Sequence, residues 1–190
     1  MEFKPENIKA PEKGKLLVSD PMMGDPYFQR AVILICEHNE EGSFGFILNK
    51  YVEIDLDDLV EDIPAIANRV SIGGPVENNH LYYLHRLGEE LPGSVEVSKG
   101  LYVGGDFDIL KNMLSQKRLD KDQIRFFVGY SGWGEGQLLE EMDSESWYVS
   151  EINELPIMDT ERDDLWELAF KKMGGSFAIL ANFPNDPGMN

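Results

Sequence analysis

The chain of 190 residues carries 35 acidic against 17 basic side chains, a formal charge of −18, with 42% hydrophobic and 11% aromatic residues. That length and apolar content supply one substantial core and exclude wholesale disorder, and no run approaches the ~18 apolar residues of a membrane-spanning helix. Nucleic-acid affinity comes from Lys and Arg neutralising phosphates, so a chain this acidic, whose only adjacent basic pairs are Lys117-Arg118 and Lys171-Lys172, is disfavoured as a direct nucleic-acid binder. A single cysteine, Cys36, rules out an internal disulfide and any zinc site needing several thiolates, and fits a reducing compartment. Met1 to Lys15 interleaves Lys and Glu with Pro5 and Pro11 and lacks the apolar stretch of a secretory signal, so a cytoplasmic protein without membrane association is expected.

Residues 1–13 read as an irregular arm and 14–190 as one domain. Lys15 to Ser19 reads as a short strand, and Asp25-Pro26 opens a turn or brief helix. The β-branched run Ala31 to Cys36, the turn signal Asn39 to Ser43 and the run Phe44 to Leu48 together predict a β-hairpin over 31–49. Leu56, Leu59, Val60 and Ile63 fall on one face of a helix that Asp55 can cap. Strands are expected at Ile72, at Leu81 to Leu84 and at Gly100 to Val103, with Leu91-Pro92-Gly93 as a turn between the last two. Asp106 caps a helix with apolar positions Phe107, Leu110 and Leu114. An apolar strand, Ile124 to Val128, then runs into a glycine-rich loop, Gly129-Tyr130-Ser131-Gly132-Trp133-Gly134-Glu135-Gly136, followed by a helix over Gln137 to Met142 and a strand over Trp147 to Ile152. Thr160 to Asp163 resembles a capping box for the amphipathic helix carrying Leu165, Trp166, Ala169, Phe170 and Met173, closed by Gly174-Gly175. Strands and helices do not alternate regularly, so the fold class is α+β with a largely antiparallel sheet.

The glycine-rich stretch superficially suggests a nucleophile elbow, but G-x-S-x-G needs a glycine where Trp133 stands, and the dinucleotide pattern G-x-G-x-x-G meets Gln137 or Leu139 at its third glycine. Two readings remain. The amides of Gly134, Glu135 and Gly136 form a small anion nest, or Trp133 packs across a neighbouring strand while the glycines admit close backbone approach. Cys36 and His38, two apart on a strand, would share one face with Glu37 opposite, where the imidazole can activate the thiol; the reading preferred over this is a small core cysteine ending an apolar strand, with His38 satisfied near the surface. His80 and His85 diverge and make no metal pair. The acidic run Glu53, Asp55, Asp57, Asp58, Glu61, Asp62 lacks the glycine and distal glutamate of a calcium loop, so neither metal nor cofactor is expected. Asp25 suits an Asx turn, and Arg30 suits a pair with Asp25 or Asp20.

Several ordered motifs carry a family resemblance. Asp25-Pro26-Tyr27-Phe28-Gln29-Arg30, Ile35-Cys36-Glu37-His38-Asn39 with Gly42, Gly45 and Asn49, Gly73-Gly74-Pro75-Val76, Leu84-His85, Gly129 to Leu138, Ser146-Trp147 and the tail Asn185-Asp186-Pro187-Gly188-Met189-Asn190 resemble, in that order, the motifs of the bacterial YqgE/AlgH family. The resemblance spans nearly all the chain after residue 14. It implies a bent, barrel-like α+β sheet and carries the label of transcriptional regulator, while the sequence has no helix-turn-helix with a basic recognition face. The reading is a non-catalytic, regulatory or partner-binding protein, with candidate binding residues Asp25, Arg30, Cys36, His38, Ser131, Gly132, Trp133, Gly134 and Gly136 and an unidentified protein partner. The alternative is a redox-responsive or small-molecule-binding protein using Cys36. Oligomeric state is open.

Overall fold

Leu16–Ser19 (β1) lies antiparallel between Val32–Asn39 (β2) and Trp147–Ser150 (β9), and all three strands draw on apolar runs that are buried along most of their length. The structure is a computed structural model that describes residues 5–6, 9–153 and 155–184; the tail motif with Asp186 lies outside the described residues. The expected hairpin forms from β2 and Gly42–Ile47 (β3). Ser71–Ile72 (β4), Val76–His85 (β5), Ser94–Ser98 (β6), Leu101–Gly104 (β7) and Ile124–Gly134 (β8) complete one sheet in the order β6-β7-β5-β8-β3-β2-β1-β9, with β4 on β8 as the parallel pair. The result is a curled, largely antiparallel half-barrel in an α+β domain.

Helices cover the sheet on separate sides. Leu165–Met173 (α4) and Phe177–Leu180 (α5) join the core built by Leu16, Val18, Val32, Leu34, Phe46 and Phe127. Gln137–Asp143 (α3) sends Leu138 into the opposite-face cluster of Leu17, Ile33, Ile35, Ile47, Trp133 and Trp147. Leu56–Leu59 (α1) and Phe107–Ser115 (α2) pack on a third cluster with Tyr83, Ile124 and Phe126.

The glycine-rich stretch corrects the expectation of a loop. Residues 129–134 belong to β8, the longest strand: Ile124 to Tyr130 pairs with β5, and Ser131 to Gly134 pairs with Gly45 to Gly42 of β3. Its glycines serve backbone proximity. Gly129 has φ +70°, and a Cβ there would meet the Gly74 carbonyl oxygen at 2.6 Å; a Cβ on Gly73 would in turn meet the Gly129 oxygen at 2.2 Å. One strand can thus thread between β5, β4 and β3 at a crossing that side chains would block.

Three further expectations change. The helix begun at Leu56 ends at Leu59, and Asp55 makes no side-chain cap. Pro64 disfavours helical angles at Ile63, while Val60 and Ile63 still reach the core from extended chain. Thr160 does not cap α4, whose N-cap is Asp164; Thr160 is buried and accepts from the Arg69 amide at 3.3 Å. β6, outside the expected strands, follows the Leu91-Pro92-Gly93 turn and forms an edge hairpin with β7. Asp106 caps α2 by accepting from the Ile109 amide at 3.0 Å, as its position predicts.

Candidate functional site: an aromatic cleft at the β3–β8 seam

The sheet register sorts the candidate residues. Between Ile35 and Glu37 the β2–β3 ladder shifts, pairing Ile35 with Gly45 and Glu37 with Phe44, so Cys36 is the extra residue of a β-bulge. The bulge breaks the alternation on which a Cys36–His38 pair depended. Cys36 packs among Leu34, Phe46 and Phe127, 1% exposed, and burial drives its thiol pKa far up. His38 sits instead beside Ser43, with Nδ1 2.6 Å from Ser43 Oγ, and Ser43 is the cross-strand partner of Trp133 on the other side of the sheet. Thiol and imidazole therefore belong to opposite faces.

The glycine-stretch residues also separate. Ser131 is sealed, its hydroxyl donating to the Gly73 carbonyl at 3.0 Å. Trp133 is buried and donates its indole N–H to Glu141 Oε2 at 2.9 Å; Trp147 donates to the same oxygen at 2.7 Å, and the two rings meet edge to face. The Gly134 amide of the expected anion nest donates to Gln137 Oε1 at 3.0 Å, and Gly136 takes φ +72° as the N-cap of α3. His38, Gly134 and Gly136 border a shallow recess of about 540 Å³ with Leu138 and Leu139.

Asp25 and Arg30 lie elsewhere. Asp25 accepts from the Tyr27 amide at 2.8 Å, the Asx turn its sequence suits. Arg30 pairs with neither Asp25 nor Asp20: it binds Glu167 Oε1 at 2.9 Å and lies over the Trp166 ring at 4.4 Å, tying the start of β2 to α4. A cleft of about 520 Å³ contains Arg30, Asn49, Lys50 and Trp166, and burial lowers the Lys50 pKa against the opposing pull of Asp25. Asn49 is occupied with backbone, accepting from the Val32 amide and donating to the Arg30 carbonyl.

An open concavity of about 660 Å³ lies where β3, β5 and β8 meet and is lined by Phe44, Tyr82, Tyr130, Val76, Gly132 and Trp133 together with Glu37 and Glu41. Four rings form a closed circuit: Phe44 to Tyr130 at 6.0 Å, Tyr130 to Tyr82 at 5.7 Å, Tyr82 to Phe46 at 5.7 Å and Phe46 back to Phe44 at 6.0 Å, three of these contacts within about ten degrees of perpendicular. Phe46, fully buried, stacks on Phe127 at 4.5 Å and anchors the base. The arrangement follows from the strands. The bulge at Cys36 puts Glu37 opposite Phe44 at the cleft, a second register shift falls between Val76 and Leu81, and Gly132 leaves room beside the Tyr130 ring, 3.2 Å from where a Cβ would stand. The Tyr82 hydroxyl donates to Glu77 Oε2, and burial together with that carboxylate pushes the phenol up to about 12. Among the described residues no Lys or Arg lines this cleft. Of the expected site residues it holds Gly132 and Trp133; Glu37 and Tyr130 lie inside motifs without having been singled out, Phe44, Tyr82 and Glu41 carry no sequence motif, and the alternation of β3 and β8 was the available signal.

Comparison with known proteins agrees with this architecture. A family model described as AlgH-like (DUF179) matches residues 16–178. A UPF0301 protein of Cytophaga hutchinsonii is 40% identical over 179 residues, covering 94% of this chain and 98% of its own, and one of Bacteroides thetaiotaomicron is 39% identical over 185 residues, covering 97% and 94%. Among solved structures, a Corynebacterium diphtheriae protein superposes with TM-score 0.74 at 24% identity over 92% of this chain and 94% of its own. The solution structure of AlgH from Pseudomonas aeruginosa gives 0.71 at 23% over 93% and 98%. With most of its length matched by the family model and by relatives at this identity, the chain belongs to the AlgH-like family.

Proposed function

We propose that this is a cytosolic, non-catalytic protein that acts by binding, in a regulatory or partner-docking role, and that the partner seats in the aromatic cleft at the β3–β8 seam. The observation that carries the reading is the cleft itself: half-buried Phe44, Tyr82 and Tyr130 gathered at the surface of the sheet, with Glu37 and Glu41 beside them. Surface-exposed aromatic clusters with a polar rim are the usual anchors of recognition sites. The chemistry elsewhere favours binding over turnover. Ser131 is sealed, Cys36 is buried with its thiol held protonated, and the Ser43–His38 contact faces a Gly134 amide already spent on Gln137. An unpaired cysteine suits the cytosol.

Photo-cross-linking tests this. With benzoylphenylalanine in place of Val76 at the cleft wall, a discrete adduct is expected in cells and is lost when Tyr130→Ala is added. Adducts indifferent to Tyr130, or turnover of a substrate by the purified protein at this seam, overturn the reading.

A further inference from the structure

We propose that the aromatic cleft takes an arginine-bearing basic segment of its partner protein, an inference that rests on the docking reading above and specifies the occupant. The cleft offers what a guanidinium needs and little that another side chain would use. Tyr130, Tyr82 and Phe44 present π-faces and edges within one ring circuit, and a cation held within about 6 Å of such rings is drawn by their quadrupoles. Carboxylates stand at the same mouth. Glu41 lies exposed at the hairpin turn with no ion pair among the described residues, Glu77 is held against the cleft by the Tyr82 hydroxyl, and Glu37 has a long contact of 3.7 Å to Lys13 as its ion pair. Among the described residues no Lys or Arg lines the cleft, and the long Lys13 contact to Glu37 leaves Glu41 and Glu77 at the mouth without an ion pair among those residues.

Charge complementarity then separates the candidates for an occupant. A second copy of a chain at −18, or an acidic or phosphorylated ligand, is repelled by this rim. A purely apolar helix would have to desolvate the carboxylates without pairing them. A planar guanidinium stacks on an aromatic face and donates a two-pronged N–H fork to a carboxylate at its edge, which a lysine ammonium does less well.

The test uses the full chain, uniformly labelled with 15N, and two synthetic pentapeptides: acetyl-Gly-Arg-Gly-Arg-Gly-amide and its citrulline counterpart, equal in shape but uncharged. The arginine peptide is expected to shift the amides of Glu41 to Phe44 and Tyr130 to Trp133. The citrulline peptide is expected to bind at least about tenfold more weakly, and raising salt from 50 to 300 mM is expected to weaken the arginine peptide several-fold. Glu41→Gln, at an exposed turn, is expected to keep the folded spectrum and reduce arginine-peptide affinity about two- to fivefold. Tyr130→Leu is expected to abolish the shifts. Equal binding of both peptides in the cleft overturns the charge-specific inference and leaves docking standing. Shifts centred on the Arg30–Lys50 cleft, or none at millimolar peptide, also overturn it, while the Val76 cross-link decides the docking reading separately.

Discussion

Glu141 shows how one side chain can hold a face of the sheet together. Its carboxylate accepts both the Trp133 and Trp147 indoles on one oxygen and Gln137 Nε2 at 3.2 Å on the other, so α3 is pinned to the strands that precede and follow it, β8 and β9. Glu141→Ala leaves two buried donors unpaired and is expected to cost about 2–4 kcal/mol in urea unfolding, since each such orphan costs ~1–3 kcal/mol in isolation and the two share one site. Cys36 gives a second residue-scale outcome: labelling by a disulfide reagent at neutral pH is expected to be negligible in the native protein and complete once it is unfolded in urea. His85 gives a third. Its ring is buried, Nε2 donates to the Gly104 carbonyl at 2.9 Å, Nδ1 accepts from the Leu87 amide at 3.2 Å, and Tyr102 stacks on it. Burial lowers its pKa from the ordinary 6.5, a shift the Gly104 carbonyl partly opposes. Below that value the unfolded chain binds a proton that the folded chain refuses, so this contribution is present above pH 6.5 and is lost as pH falls toward the folded value. Stability is expected to fall as pH drops below about 6.5, with a slope of at most about 1.4 kcal/mol per pH unit from this site, and His85→Gln is expected to flatten that slope.

At the scale of elements, β8 organises the molecule, and its glycines are not equivalent. Gly129→Ala puts a side chain at φ +70° against the carbonyls of Gly74 and Val76 and is expected to destabilise by at least about 2 kcal/mol. Gly134→Ala meets nothing within 4 Å at an ordinary φ and is expected to change stability by less than about 0.5 kcal/mol, both read from chemical unfolding. The composition Gly-Tyr-Ser-Gly-Trp-Gly marks a segment needing unusual backbone freedom, and that much was legible. Whether the freedom served a ligand, a loop or a neighbouring strand depended on Gly73-Gly74 lying opposite, more than fifty residues earlier in the chain. The hairpin of β2 and β3, the Asp106 cap and the stripe of α4 were all readable because their determinants are local. The bulge at Cys36 was not: it appears only when the register of β3 is known, and it alone sends Cys36 and His38 apart.

For the whole molecule, charge and shape act together. A net −18 gives a surface that repels phosphate backbones, and the described residues contain no helix long and apolar enough to cross a membrane. Against the regulator label attached to the family, electrophoretic mobility of duplex DNA at about 150 mM salt is expected to be unchanged by the protein, and salt-sensitive retardation would mean a local basic surface that outweighs the net charge. Two of the carboxylates, Glu37 and Glu41, stand at an aromatic mouth that no single stretch of sequence encodes, where the proposed basic segment would meet them.

Composition and local pattern by themselves determined the α+β class, the antiparallel hairpin, the cysteine's fitness for the core and the acidic character, because hydrophobic periodicity, turn chemistry and charge are properties of neighbouring residues. The tertiary structure alone decided that Phe44, Tyr82 and Tyr130 share one cleft, that Trp133 and Trp147 share one carboxylate, and that the glycine stretch is a strand. The cleft and the strand depend on register between segments about forty to ninety residues apart, and the shared carboxylate, although its partners are near in sequence, depends on α3 folding back over β8 and β9.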